Sequence, residues 1–389
     1  MIDTIVLTLS KDMYYINKPD KFAPSARWLD ADTGRSGSRA FITCKQNPTK
    51  DELLNGIYKP RLTLTNRFNH TERWEASLKI ELSLPKLLYG NNFDELQDSD
   101  FESVSNKLQE RLKEMGVHIF KQLLINAPVS AVHYSKNIPL TDGTTPYHYI
   151  KKIREANITQ ALDANQTDFR NDGHSFKWHC NSYEVAFYDK IKDLEVSKKS
   201  EKRAIEKDNA VQLGLFDALK KRSPFEVLRM EVRLNKRQKI IQTFKKLGIV
   251  SEVTFQSVFD SKKSQLVLSY YLVEIERQRS DLLDRTYNNP QALLADIIIS
   301  NPKLGAKQAL QVFGLKQAFD KIGMRELRII LSKFSNRSWY RLVKDIKQVK
   351  LAKKNDTFGV IRKHLLSFES LKLVNCQSAI KNIKGYTSV

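Results

Sequence analysis

The chain has 389 residues, enough for one large domain or two ordinary ones. Apolar residues make up 41% and aromatics 10%, too many for a disordered chain, and no apolar run approaches a bilayer span. The formal charge is +21, from 65 Lys and Arg against 44 Asp and Glu, and only three widely spaced cysteines occur (Cys44, Cys180, Cys376). That excludes a disulfide framework and a zinc site built on paired cysteines. The expectation is a protein of a reducing compartment, with no membrane partner and with a polyanion as its ligand.

In chain order, the alternation of Thr4 to Leu9 predicts a strand, and the start carries Asp3 where a secretion signal would be basic. Residues 17–50 are rich in turn formers and read as loops around short strands. Leu78 to Leu84 alternates strictly and predicts a half-buried strand. A long helix is expected over 103–125, a strand over Ser130 to Ser135 and a helix over Thr145 to Ala156. The turn Asn171-Asp172-Gly173 introduces a pair of strands, His174 to Cys180 and Tyr183 to Tyr188. A charged helical stretch then runs from Lys190 to about Arg222, followed by the alternating strand Leu228 to Leu234. Beyond it the pattern is helical, with a boundary at Tyr287-Asn288-Asn289-Pro290.

The two sides of that boundary differ in charge. From Asn301 onward there are 19 Lys or Arg against five acids, so the last 89 residues carry +14 of the +21. Short helices are expected over Ala306 to Val312, Lys316 to Ile322 and Met324 to Phe334, with another capped by Asn336. In that last helix Trp339, Leu342, Val343 and Ile346 form an apolar stripe, while Arg337, Arg341 and Lys344 lie off it, available to phosphates. The predicted class is therefore α+β: an antiparallel-sheet domain over 1–285, then a basic all-helical domain over 286–389.

Sorting the strands by face brings out candidate chemistry. If the alternating segments share one sheet, Glu81, His133, Glu231 and Tyr188 can stand on one polar face, with Lys190 beside the tyrosine. Carboxylates and an imidazole can hold a divalent ion, and a phenol next to cations can attack phosphorus. Each group also has a plainer reading. Glu231, between Arg229 and Arg233, could pair with cross-strand charges on a solvated face, and Glu81 has the same reading through Lys79. His133 could be structural, and any tyrosine could be a packing residue.

Several segments, in order, resemble the replication initiators of the filamentous-phage gene II/X family and related plasmid Rep proteins. These are Met1-Ile2-Asp3-Thr4-Ile5-Val6-Leu7, LKIELSLPKLLYGNN (Leu78 to Asn92), VAFYDKIKDLE (Val185 to Glu195), LRMEVRL (Leu228 to Leu234) and RSWYRLVKDI (Arg337 to Ile346). The chain has Ala131-Val132-His133 where relatives tend to carry an acid after Arg-x, and it has no His-hydrophobic-His triplet. The resemblance implies a Rep/HUH-like nickase with Tyr188 as nucleophile and Lys190 as its neighbour. It would nick an origin in double-stranded DNA, keep the 5′ end as a phosphotyrosine and later rejoin the strand. Mg²⁺ or Mn²⁺ is implied as cofactor, with Glu81, His133 and Glu231 as expected ligands. Lys86, Asn91, Asn92, Arg229, Arg233, Arg337, Arg341 and Lys344 are the expected DNA contacts on double- and single-stranded DNA. A host helicase and polymerase would follow in a bacterial cytoplasm. The alternative is a non-catalytic origin-binding or copy-control protein.

Overall fold

A computed structural model describes residues 1–29, 41–68, 74–140, 144–154, 166–170, 173–199, 226–277, 289–322, 324–349 and 358–372. Its centre is a nine-stranded sheet in the order β3-β4-β5-β1-β7-β11-β10-β9-β8, with every adjacent pair antiparallel. The strands are β1 (Ile2–Ser10), β3 (Phe41–Gln46), β4 (Arg61–Phe68), β5 (Trp74–Ser83), β7 (Val129–Leu140), β8 (Gln166–Arg170), β9 (Ser175–His179), β10 (Tyr183–Asp189) and β11 (Glu226–Leu234). A separate two-stranded ribbon joins β2 (Tyr15–Ile16) to β6 (Val117–His118). The α+β class and the antiparallel sheet are as expected.

The alternation in the sequence becomes a two-faced sheet. Ile5, Leu82, Val132 and Leu234 share one register row, and Tyr134, Val232, Val185 and Trp178 share the next, all of them buried. The helices that cover this face include α7 (Arg237–Lys246) and α9 (Ser261–Arg277). Earlier helices are α1 (Lys50–Leu54), α2 (Leu84–Tyr89), α3 (Phe101–Glu114), α4 (Lys121–Ile125), α5 (Pro146–Ile153) and α6 (Lys190–Lys199), and α8 (Phe255–Val258) precedes α9. Phe101 of α3 packs edge-on against Phe255 of α8 at 5.2 Å.

The single helix expected over 103–125 is two. The apolar period runs on through the break, so periodicity alone hides it. Gly116 sits at φ +84°, and a Cβ there would meet the Lys18 Cβ at 2.6 Å, so the chain turns where only glycine fits. The helix from Lys190 is described to Lys199, and the remainder of that expectation, like Asn171 and Asp172 of the turn, lies outside the described residues.

After Asn289, which caps α10 (Pro290–Ser300), come α11 (Ala306–Ile322), α12 (Met324–Ile330) and α13 (Asn336–Gln348). The two short helices expected over 306–322 are one, and the helix passes through Gly314. The cap of α13 is Ser335, whose side chain accepts from Ser338 N, and not Asn336. These helices enclose a core of their own, including Leu293, Val312, Phe319, Trp339 and Ile346.

The last described helix departs from the expected 286–389 unit. α14 (Gly359–Ser367) returns to the sheet: Ile361 and Leu365, one turn apart, join the main core together with Phe358. Among the described residues, no helix is long and apolar enough to cross a membrane.

Candidate active site

The opposite face of the sheet is polar, and three register rows define its centre. Arg229 lies between Asn137 and Tyr188, Glu231 between Ser135 and Ala186, and Arg233 between His133 and Glu184. The alternation of β11 suggests charges facing water, yet Arg229 and Glu231 are each only 2% exposed. Burying charge demands partners within reach, and here they are side chains from the neighbouring rows.

The Glu231 carboxylate is the hub. Arg233 donates to it twice, Nε to Oε1 at 2.9 Å and Nη2 to Oε2 at 3.1 Å. Tyr188 Oη donates to Oε2 at 3.0 Å, and His133 Nδ1 stands 3.7 Å from Oε1. Burial alone would raise the Glu231 pKa, but the charge and hydrogen bonds of Arg233, aided by Arg229 and His133, hold it well below the usual carboxylate range. Arg233 also reaches Glu184 Oε1 at 2.7 Å, and Lys177 donates to Glu184 Oε2 at 2.9 Å.

Tyr188 is kept a neutral phenol by burial. Arg229 favours the phenolate, while Glu231 and Asp193 oppose it, and the net shift is well above the ordinary tyrosine value. Lys190, the first residue of α6, lies with Nζ 5.8 Å from the centre of the Tyr188 ring and 3.6 Å from Asp193 Oδ2. Burial lowers its pKa to about 8, with Arg229 acting in the same direction and Asp193 against it. Asp189 fixes this turn: its Oδ1 accepts from Ile191 N at 3.1 Å and Lys192 N at 3.0 Å, while Oδ2 lies 3.2 Å from His174 Nδ1. Because Ala186 occupies the row beside Glu231, a cleft of about 180 Å³ opens there, lined also by Tyr188, Arg233, Lys177, Lys192 and Asp193.

Arg229 is anchored on all sides. It donates to Asn92 O at 2.9 Å, Asn137 Oδ1 at 3.3 Å, Asp3 Oδ1 at 2.8 Å and Ser135 Oγ at 2.8 Å. It therefore places positive charge beside Tyr188 and is too enclosed to be the DNA contact expected of it.

The other expected site residues divide. Lys86, in the first turn of α2 just after β5, is half-buried and, with Asn92, lines a second cleft. Asn91 is taken up by its own turn, accepting from Phe93 N and Asp94 N, each at 2.9 Å, so it is not placed to grip DNA. Arg337, Arg341 and Lys344 are exposed on α13, as expected, with Trp339 and Ile346 turned into the helical core.

His133 and Glu231 come together, but Glu81 does not join them. It pairs with Lys79 at 3.2 Å and lies opposite Val6 on β1, two strands from β7. Among the described residues no three His, Cys, Asp or Glu side chains form a group that could hold a metal, and Arg233 covers the Glu231 carboxylate. The expected Glu81, His133 and Glu231 set therefore does not fit Mg²⁺ or Mn²⁺ as the residues stand.

Sequence reasoning missed Asp189, Asp193, Glu184 and Asp3. Asp189, an aspartate between a strand and a charged helix, carries a capping signal that could have been read. Nothing local links Asp3 to Arg229, which is 226 residues away.

Comparison of the chain with protein-family models, curated proteins and solved structures finds no match. The functional reading therefore rests on the site itself.

Proposed function

We propose that the protein belongs to the class of nicking–joining enzymes that break a phosphodiester with a tyrosine nucleophile. Within that class, the particular reading is a rolling-circle replication initiator of the kind its motifs resemble, acting at an origin in DNA. The observation that carries it is the Tyr188 hydroxyl held 3.0 Å from a buried carboxylate, beside Lys190 and Arg233, at an open cleft.

The chemistry follows from those groups. Glu231 orients the Tyr188 hydroxyl by accepting its hydrogen bond, and Arg233 keeps that carboxylate ionised. As Tyr188 Oη attacks phosphorus its proton passes along the hydrogen bond to Glu231, and the bond from phosphorus to the 3′ oxygen breaks. The 5′ phosphate stays on the tyrosine, and the 3′ oxygen takes a proton from water to leave as a hydroxyl while Glu231 returns its proton to solvent. The phosphotyrosine conserves the bond energy needed for rejoining. Arg229 and protonated Lys190 stabilise negative charge on the Tyr188 phenolate, and Arg233 and Lys192 line the cleft that takes the phosphate. Arg337, Arg341 and Lys344, exposed on α13, supply phosphate contacts farther along the DNA. A host helicase and polymerase would use the freed 3′ end.

The test is plasmid nicking in the presence of Mg²⁺ or Mn²⁺. Tyr188→Phe is expected to abolish nicking while DNA affinity stays within about twofold, because one hydroxyl is lost and no phosphate contact is removed. A variant that nicks at the parental rate would end the assignment. One observation favours the second reading, a non-catalytic origin binder: the doubly bonded Arg233 closes Glu231. Specific binding without nicking by the parental protein would select it.

A further inference from the structure

The second cleft, about 160 Å³, opens on the same polar face, on the other side of Arg229 from the Tyr188 cleft. Tyr58, Lys59, Arg61, Ser83, Lys86 and Asn92 line it. Three cations thus converge where β4, β5 and α2 meet. Of the acids at its edge, Asp3 pairs with Arg229 at 2.8 Å, and Glu81, opposite Arg61 in the strand register, pairs with Lys79 at 3.2 Å. Lys59 is held by Glu52 at 2.6 Å and Glu114 at 3.2 Å.

Two hydroxyls there have hydrogen bonds still to make. Ser83 Oγ is buried and has no hydrogen-bond partner among the described residues, a costly state for a polar group unless a ligand completes it. Tyr58 Oη accepts from Ser83 N at 2.6 Å, which leaves the phenol proton to donate. Donors and cations together suit an anion with several acceptor oxygens.

We propose that this cleft is a phosphate-binding subsite, in which Ser83, Tyr58, Arg61 and Lys86 hold one phosphate of the strand that is cut at Tyr188. Asp3 and Asn92 line the cleft and also hold Arg229, which pairs in register with Tyr188. The electrostatics agree: burial pushes the Lys86 ammonium down, Arg61 and Arg229 add to this against Asp3 and Asp193, and an arriving phosphate relieves the penalty. The inference rests on the strand-nicking reading for the identity of the ligand, but not for the phosphate chemistry.

The experiment measures binding of the full chain to a fluorescent oligodeoxythymidylate across a salt series, with ATP and inorganic phosphate titrated separately by calorimetry. Arg61→Ala and Lys86→Gln are expected to lower the slope of log affinity against log salt by about 0.7 each. Ser83→Ala is expected to weaken binding about fivefold without lowering the melting temperature, because it removes a hydroxyl that has no partner in the free protein. It also serves as the control if the charge variants fold poorly. Unchanged DNA slopes with Lys86-dependent binding of ATP or phosphate would keep the phosphate site and assign it to a free nucleotide. Parental DNA slopes in both charge variants and parental affinity in Ser83→Ala, with no Lys86-dependent binding of either small anion, would overturn the proposal. Adduct formation at Tyr188 is scored separately, so a protein that binds through this cleft yet never forms the adduct would refute the nicking reading alone.

Discussion

Glu95 and Glu231 are both buried, and each faces a cation. Glu95 is 4% exposed and Glu231 2%. Burial works to raise both carboxyl pKa values, and in both the neighbouring cations more than offset it. What separates them is the kind of donor. Glu95 is held by the Lys136 ammonium and by two backbone amides, Asn137 N at 2.6 Å and Leu371 N at 2.9 Å. Lys136 in turn donates to Glu369 O at 2.5 Å, so this pair staples the last described segment to the sheet. Glu231 is held by side chains alone, Arg233 and Tyr188, and a cleft lies over them. Amides fixed in a fold cannot leave, whereas a half-exposed arginine and a tyrosine hydroxyl can turn to a ligand. A buried carboxylate saturated by backbone reads as structure, and one saturated by mobile side chains reads as a site.

The widest gap between the two should appear in stability. Lys136→Met leaves Glu95 charged and without its main partner, and is expected to cost about 3–5 kcal/mol in urea unfolding. A loss under about 1 kcal/mol would mean that the staple does not hold the C-terminal segment. Glu231→Gln should show the reverse pattern, slowing nicking about a hundredfold while the melting temperature moves less than in Lys136→Met. Equal activity in the two proteins would break the distinction between them.

A smaller effect is expected from pH. The Lys190 ammonium, lowered to about 8, is present below that value and lost as pH rises through it. Nicking that uses this positive charge should therefore decline several-fold between about pH 7.5 and 9. A flat or rising profile across that range would remove Lys190 as the stabilising cation. Smallest is the contribution of each exposed cation on α13. Arg337→Gln and Lys344→Gln should each lower the salt slope on duplex DNA by about 0.9 and leave Tyr188 chemistry intact.

Much of the sheet was legible because its strands alternate. The period of Leu78 to Leu84, Tyr183 to Tyr188 and Leu228 to Leu234 fixed which residues share a face, and it put His133, Glu231 and Tyr188 together once β7 and β10 flank β11. The order of strands was not legible, since pairing depends on contacts between distant segments such as Asp3 with Arg229. That is also why Glu81 was grouped with residues two to four strands away. Nor does alternation say how deeply a polar face is covered. The charges of β11 read as solvated, and they are buried because Phe93, Leu194 and Val227 pack at one end of that face and the neighbouring rows supply counter-charges. The return of α14 to the sheet was hidden by the uniform basic charge of the last hundred residues, where two buried side chains, Ile361 and Leu365, decide the packing.

The most direct measurement incubates the protein with 5′- and 3′-labelled single strands from its own replicon and resolves the products on a denaturing gel. The account predicts a protein–DNA adduct that survives denaturation, carries the 5′ side of the cut and maps by mass spectrometry to the peptide containing Tyr188. An adduct on another residue, or a cut strand with a free 5′ phosphate and no adduct at any time, would contradict it.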